Sequence, residues 1–93
     1  MKIKAFIAED EPHSLDRLKD LLRNFPDLEI VGEARDGLKA IKMIEEVKPD
    51  LVFLDIKMPG AAGFEVHERI HHDPMIIFVT AFDKYAIKAF DEN

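Results

Sequence analysis

Acidic residues in this chain fall directly behind apolar runs. Glu9-Asp10-Glu11 follows Ile3–Ala8, and Asp55 follows Leu51–Leu54. A further apolar run, Met75–Val79, leads into Thr80. If these runs are neighbouring parallel strands, the residues past their C-terminal ends open into one crevice, the usual ligand position in such sheets. Carboxylates gathered there repel and raise each other's pKa unless a cation intervenes. Oxygen ligands, few in number, suit Mg²⁺, which keeps several waters. A carboxylate beside Mg²⁺ can attack phosphorus to form an acyl phosphate. The Thr80 hydroxyl can donate a hydrogen bond to a phosphoryl oxygen.

Each feature has a plainer reading by itself. An acidic triplet behind a strand can complement the dipole of a following helix. A lone Asp after a strand is commonly a turn residue. Only the joint placement at three strand ends lifts the chemical reading above these.

The elements that must position the residues alternate. Ile3–Ala8 reads as a buried strand. After Pro12 and Ser14, residues Leu15, Leu18, Leu21, Leu22 and Phe25 form one helical stripe, ended by Pro26-Asp27. Leu28–Val31 reads as a second strand, stopped by Gly32. Asp36 can cap the next helix, whose stripe is Leu38, Ala40, Ile41, Ile44 and Val47. Leu51–Leu54 is a third strand, residues 58–63 a loop, Phe64–Ile70 a short helix, Met75–Val79 a fourth strand and Lys84–Phe90 a fourth helix. Strand–helix units in series imply an α/β fold: a doubly wound parallel sheet with helices on both faces. Wholly apolar strands fit, since they are buried on both sides.

The 93 residues allow one domain. The net charge of −6, from 19 acidic and 13 basic residues, argues against direct nucleic-acid binding by this segment. Without cysteine there is neither a disulfide framework nor a thiolate metal site. The N-terminal apolar run is too short for a signal peptide or membrane span, so no membrane association and a cytoplasmic location are expected. His67 and His71 are four apart, a metal-ligand spacing on a helix, but no third ligand is evident and a solvated helix face is the expectation. Phe82 and Phe90 are read as packing residues.

The segments Ile7-Ala8-Glu9-Asp10-Glu11-Pro12, residues 49–60 around Asp55 and Ile77-Phe78-Val79-Thr80-Ala81 resemble, in order and spacing, the signature segments of response-regulator receiver domains. The resemblance runs along the whole chain, and Asp55–Gly60 is its most specific part. Residues 80–90 further resemble the subgroup with a LytTR-type DNA-binding output domain. The resemblance implies a flavodoxin-like fold with strand order 2-1-3-4-5. It makes Asp55 the phosphoacceptor, Asp10 a direct Mg²⁺ ligand, Glu9 a neighbour acting through water, and the Lys57 carbonyl a third protein ligand. Thr80 becomes the switch hydroxyl and Ala81 its small neighbour. A histidine kinase is the implied phosphodonor, and transfer of this kind rests on positioning and charge neutralisation.

Against the family pattern, the chain reaches Asn93 before the fifth strand, its lysine, the aromatic switch residue and the fifth helix. Lys84, Lys88 and Tyr85 are poor substitutes for these. The expectation is therefore a C-terminally incomplete receiver over residues 1–93, with sheet order 2-1-3-4 and self-association over the uncovered fourth strand. Two competing functions are a phosphotransfer-incompetent interaction module and a Mg²⁺-dependent aspartyl phosphatase. The phosphatase reading is weakened by Lys57 standing where a second Asp is expected.

Overall fold

Residues of the first strand, β1 (Ile3–Ala8), alternate between two cores. Phe6 and Ala8 enter one with Val52 and Leu54; Ala5 and Ile7 enter the other with Leu51 and Phe53. This period of two, shared by two apolar strands, requires cover on both sheet faces. The computed structural model describes residues 2–79. Thr80, Ala81, Phe82 and the helix expected over Lys84–Phe90, with Tyr85 and Lys88, lie outside the described residues.

After β1 come α1 (Pro12–Leu22), β2 (Leu28–Ala34), α2 (Gly37–Val47), β3 (Leu51–Asp55), α3 (Gly63–Arg69) and β4 (Met75–Val79). The strands form a four-stranded sheet ordered β2-β1-β3-β4, all pairs parallel. Helix α1 covers the face of Ala5 and Ile7 with Leu15, Leu18 and Leu22. Helices α2 and α3 cover the face of Phe6 and Ala8, through Ala40, Ile44 and Val66. This is the doubly wound arrangement expected from the alternating elements, in the flavodoxin-like order that the family resemblance implies.

Asp50 joins strands at the end of the sheet away from the acidic crevice. Its N–H donates to the Lys4 carbonyl at 2.8 Å, and its carboxylate accepts from the Lys4 N–H at 3.0 Å. The Met75 N–H donates to the Asp50 carbonyl at 2.9 Å.

Several boundaries differ from the sequence reading. Strand β2 continues through Gly32 to Ala34 instead of stopping, because Gly32 pairs with Phe6 beside a register shift between Ala5 and Phe6. A glycine within a strand often marks such an irregularity. Helix α1 ends at Leu22, where the chain tightens into turn bonds from Asn24 to Leu21 and Phe25 to Leu22 ahead of Pro26. Leu21 and Phe25, expected in its apolar stripe, are exposed, as is Leu38 at the start of α2. Strand β3 is buried throughout, but β4 is not: Met75 is 70% exposed and Ile77 43%. Among the described residues β4 has a strand partner on one edge only, and the two-sided burial expected of it is not met.

Candidate functional site

The acidic triplet divides into different roles. Glu11 is the N-cap of α1, its carboxylate accepting the N–H groups of His13 at 3.0 Å and Ser14 at 2.8 Å. These bonds, His13 first, hold its carboxyl below the usual range. The plainer reading of the triplet, acids at a helix N-terminus, thus holds for Glu11, which also caps the helix, with Pro12 in the first turn where no N–H is needed. Asp10 is exposed and lines a shallow cleft with Lys57, Met58, Pro59 and Ala62.

Glu9 turns inward, only 5% exposed, and meets Asp55, itself 8% exposed. The two carboxyls face each other closely enough to couple across the ends of adjacent strands. One Glu9 oxygen also accepts the Glu11 N–H at 3.1 Å, and Asp55 Oδ1 accepts the Lys57 N–H at 3.3 Å. Burial pushes Glu9 up to about 7, against the pull of the Glu11 N–H; the charge and side chain of Asp55 and the charge of Asp10 push the same way. Burial likewise raises Asp55 above its ordinary value, while the Lys57 N–H, the Glu9 side chain and the N–H groups of Ile56 and Asp10 draw it back. Without a cation, the pair is therefore best served by keeping a proton.

Asp55 is the last residue of β3, not the first residue beyond it, and pairs with Val79 in the ladder. Close packing then shapes the loop that follows. A Cβ on Gly63 would lie 2.2 Å from the Asp55 carbonyl oxygen, so only glycine lets α3 begin against the end of β3. The Gly63 N–H donates to the Ile56 carbonyl at 2.8 Å. On the other side, Gly37 opens α2 and donates to the Pro59 carbonyl at 2.9 Å. A Cβ there would fall 2.1 Å from the Ala61 carbonyl oxygen.

The structure thus brings Glu9 and Asp55 together, with Asp10 and Lys57 at the adjoining cleft. A divalent cation fits this donor set in character: buried oxygen donors whose charge is otherwise met by a proton. Among the described residues no three His, Cys, Asp or Glu side chains form a ready cage.

His71 lies beyond the end of α3, so the spacing from His67 is not a helical one. Its ring instead faces Glu45 at 3.6 Å. Two contacts were not visible in the sequence reading. Glu45 accepts the N–H groups of His71 and His72 at 2.8 and 2.9 Å, and the Arg35 guanidinium reaches the Asp10 carbonyl. Both depend on backbone atoms distant in sequence, which no spacing rule marks.

Residues 5–93 match the response regulator receiver domain family. The chain is 45% identical to the transcriptional regulatory protein BtsR of Salmonella typhi, over 98% of this chain and 39% of that protein. It is 43% identical to BtsR of Escherichia coli K12 over the same shares. It therefore spans about 39% of the length of these relatives. Among solved structures, the response regulator domain of Thermotoga maritima CheB aligns with a TM-score of 0.76 at 29% identity, covering 98% of this chain and 72% of that one. The regulatory domain of mrkE from Klebsiella pneumoniae aligns at 0.79 and 35%, covering 96% and 75%. Regulators of the LuxR family also align, and the comparisons lend no support to the LytTR-type subgroup read from residues 80–90. Fold, crevice and sequence agree: this chain belongs to the response-regulator receiver-domain family.

Proposed function

We propose that this chain accepts a phosphoryl group on Asp55, with Mg²⁺ held by Asp10 and Asp55, by the Lys57 carbonyl, and by Glu9 through water. The observation that carries the reading is the buried meeting of Glu9 and Asp55 at the ends of the central strands. Receiver domains generally bind Mg²⁺ at the phosphorylation site, and the family works with histidine kinases. A bound cation supplies charge neutralisation for the incoming phosphoryl group. Asp55 supplies the attacking oxygen, the ladder pairing of β3 fixes its direction, and the N–H of Lys57 orients its carboxylate. Thr80 is the proposed phosphoryl-binding hydroxyl, and a histidine kinase the phosphodonor. The controlled output is a transcriptional one in the full protein, and the working compartment is the cytoplasm. No helix among the described residues is long and apolar enough to cross a membrane.

The test is incubation with acetyl phosphate and Mg²⁺ followed by intact-mass measurement. A mass gain of one phosphoryl group, lost in Asp55→Asn and in chelator, is the expected result; a gain that survives Asp55→Asn removes the assignment.

The exposed apolar residues Met75, Ile77 and Phe78 on a strand with one described neighbour favour a second property, self-association of this segment through β4. Sedimentation equilibrium at micromolar concentration tests it, and a monomer throughout would refute it.

A further inference from the structure

The turn between β2 and α2 touches both loops that border the acidic crevice. Arg35 reaches one of them: its Nε and Nη2 groups both point at the carbonyl oxygen of Asp10, each at 3.4 Å. Each contact is long for a single hydrogen bond, but the same edge of the guanidinium fork straddles one acceptor. Two residues later, Gly37 donates to the Pro59 carbonyl at 2.9 Å and abuts Ala61 too closely for any side chain. Between them Asp36 accepts the Lys39 N–H at 2.8 Å and fixes where α2 starts. The end of β2 grips the first loop a second time, through the Glu9 N–H donating to the Ala34 carbonyl at 3.0 Å.

We infer that Arg35 is a positioning residue for the metal site, holding the Asp10 peptide so that the Asp10 carboxylate faces the cleft it shares with Lys57. The inference rests on the Mg²⁺ reading given above. Asp10 is exposed and lies between β1 and α1, outside both elements. The Arg35 fork holds its carbonyl from across the chain without placing a positive side chain on the carboxylate itself. The role is thus distinct from charge compensation, and the two have opposite signs. If Arg35 acts only through its charge, removing it favours a nearby cation; if it positions Asp10, removing it weakens cation binding.

The experiment compares the full chain with Arg35→Gln and Arg35→Lys by Mg²⁺ titration, following the amide signals of Glu11 and Lys57 by NMR. Thermal melting and the carbonyl carbon shift of Asp10 are measured without metal. Arg35→Gln should move the Asp10 carbonyl signal, leave the melting temperature nearly unchanged and weaken Mg²⁺ about tenfold, the lower range for loss of an outer-shell partner. Arg35→Lys, which keeps the charge but not the fork, should recover only part of the affinity. Equal or tighter Mg²⁺ binding by Arg35→Gln, or an Asp10 carbonyl signal that does not move, overturns the inference. If the unaltered chain binds no Mg²⁺, the functional reading falls with it, while the carbonyl shift still reports whether Arg35 holds Asp10.

Discussion

Glu9 and Asp55 stand at the ends of adjacent parallel strands and meet in a buried pair, two acids placed where water cannot solvate both charges. In the absence of a cation, a proton is the means of holding them together.

The pairing gives the chain a particular pH dependence. Glu9 is pushed from an ordinary 4.5 up to about 7 in the folded state, so between those values the folded chain binds more protons than the unfolded one. Stability without metal should therefore rise as the pH falls from above 7 toward about 4.5. Glu11 and Glu45, whose folded values are lowered, reverse the trend only at more acid pH. Mg²⁺ must displace the proton, so its affinity should fall by about tenfold per pH unit where the pair is protonated. Urea denaturation and Mg²⁺ titrations across the pH range check both slopes, and Glu9→Gln should flatten each of them.

Gly63→Ala tests how tightly the β3–α3 loop is moulded. The added methyl meets the Asp55 carbonyl oxygen at 2.2 Å, a backbone atom that cannot rotate away. A loss of about 1–3 kcal/mol is expected from the overpacking, outweighing the better helix propensity of alanine. Urea unfolding measures the loss, and phosphoryl uptake by Asp55 should fall with it.

Ile44→Ala should cost about 2–5 kcal/mol, the range for a large aliphatic side chain cut back in a packed core. Ile44 is fully buried among Phe6, Val52 and Leu54. A lower urea midpoint with an unchanged slope is the expected signature.

Glu45→Ala should release the segment between α3 and β4. The Glu45 carboxylate accepts both the His71 and His72 N–H groups, while the His72 ring bonds the Pro49 carbonyl at 2.5 Å. Hydrogen exchange at the two amides should accelerate several-fold, with the Phe6 and Val52 amides unaffected.

The sheet was legible because Ile3–Ala8 is a short apolar run broken only by Lys4, and because β3 carries nothing polar before Asp55. The order 2-1-3-4, by contrast, came from the family resemblance. Gly32 was misread as a stop because a glycine that accommodates a strand irregularity looks, in sequence, like one that ends a strand. Leu21, Phe25 and Leu38 fit helical spacing yet face solvent, since spacing names a stripe but not its width. The site was legible as a cluster of acids at strand ends. The division of labour between Glu9, turned into the crevice, and Glu11, turned back to cap α1, has no counterpart in residue type. Arg35 and Glu45 escaped notice because each engages main-chain atoms that any residue could have supplied.

The pairing of β1 with β3 also bears on kinetics. The strands are joined by contacts as far apart as Lys4 and Asp50, 46 positions along the chain, and β2 with α2 must be accommodated between them. Closing so long a segment is slow compared with forming a helix. The acidic pair consequently has no existence until that closure is complete, so a ligand of the crevice has nothing to grip in the early stages of folding. Added Mg²⁺ should therefore leave the refolding rate almost unchanged and act by slowing escape from the finished structure.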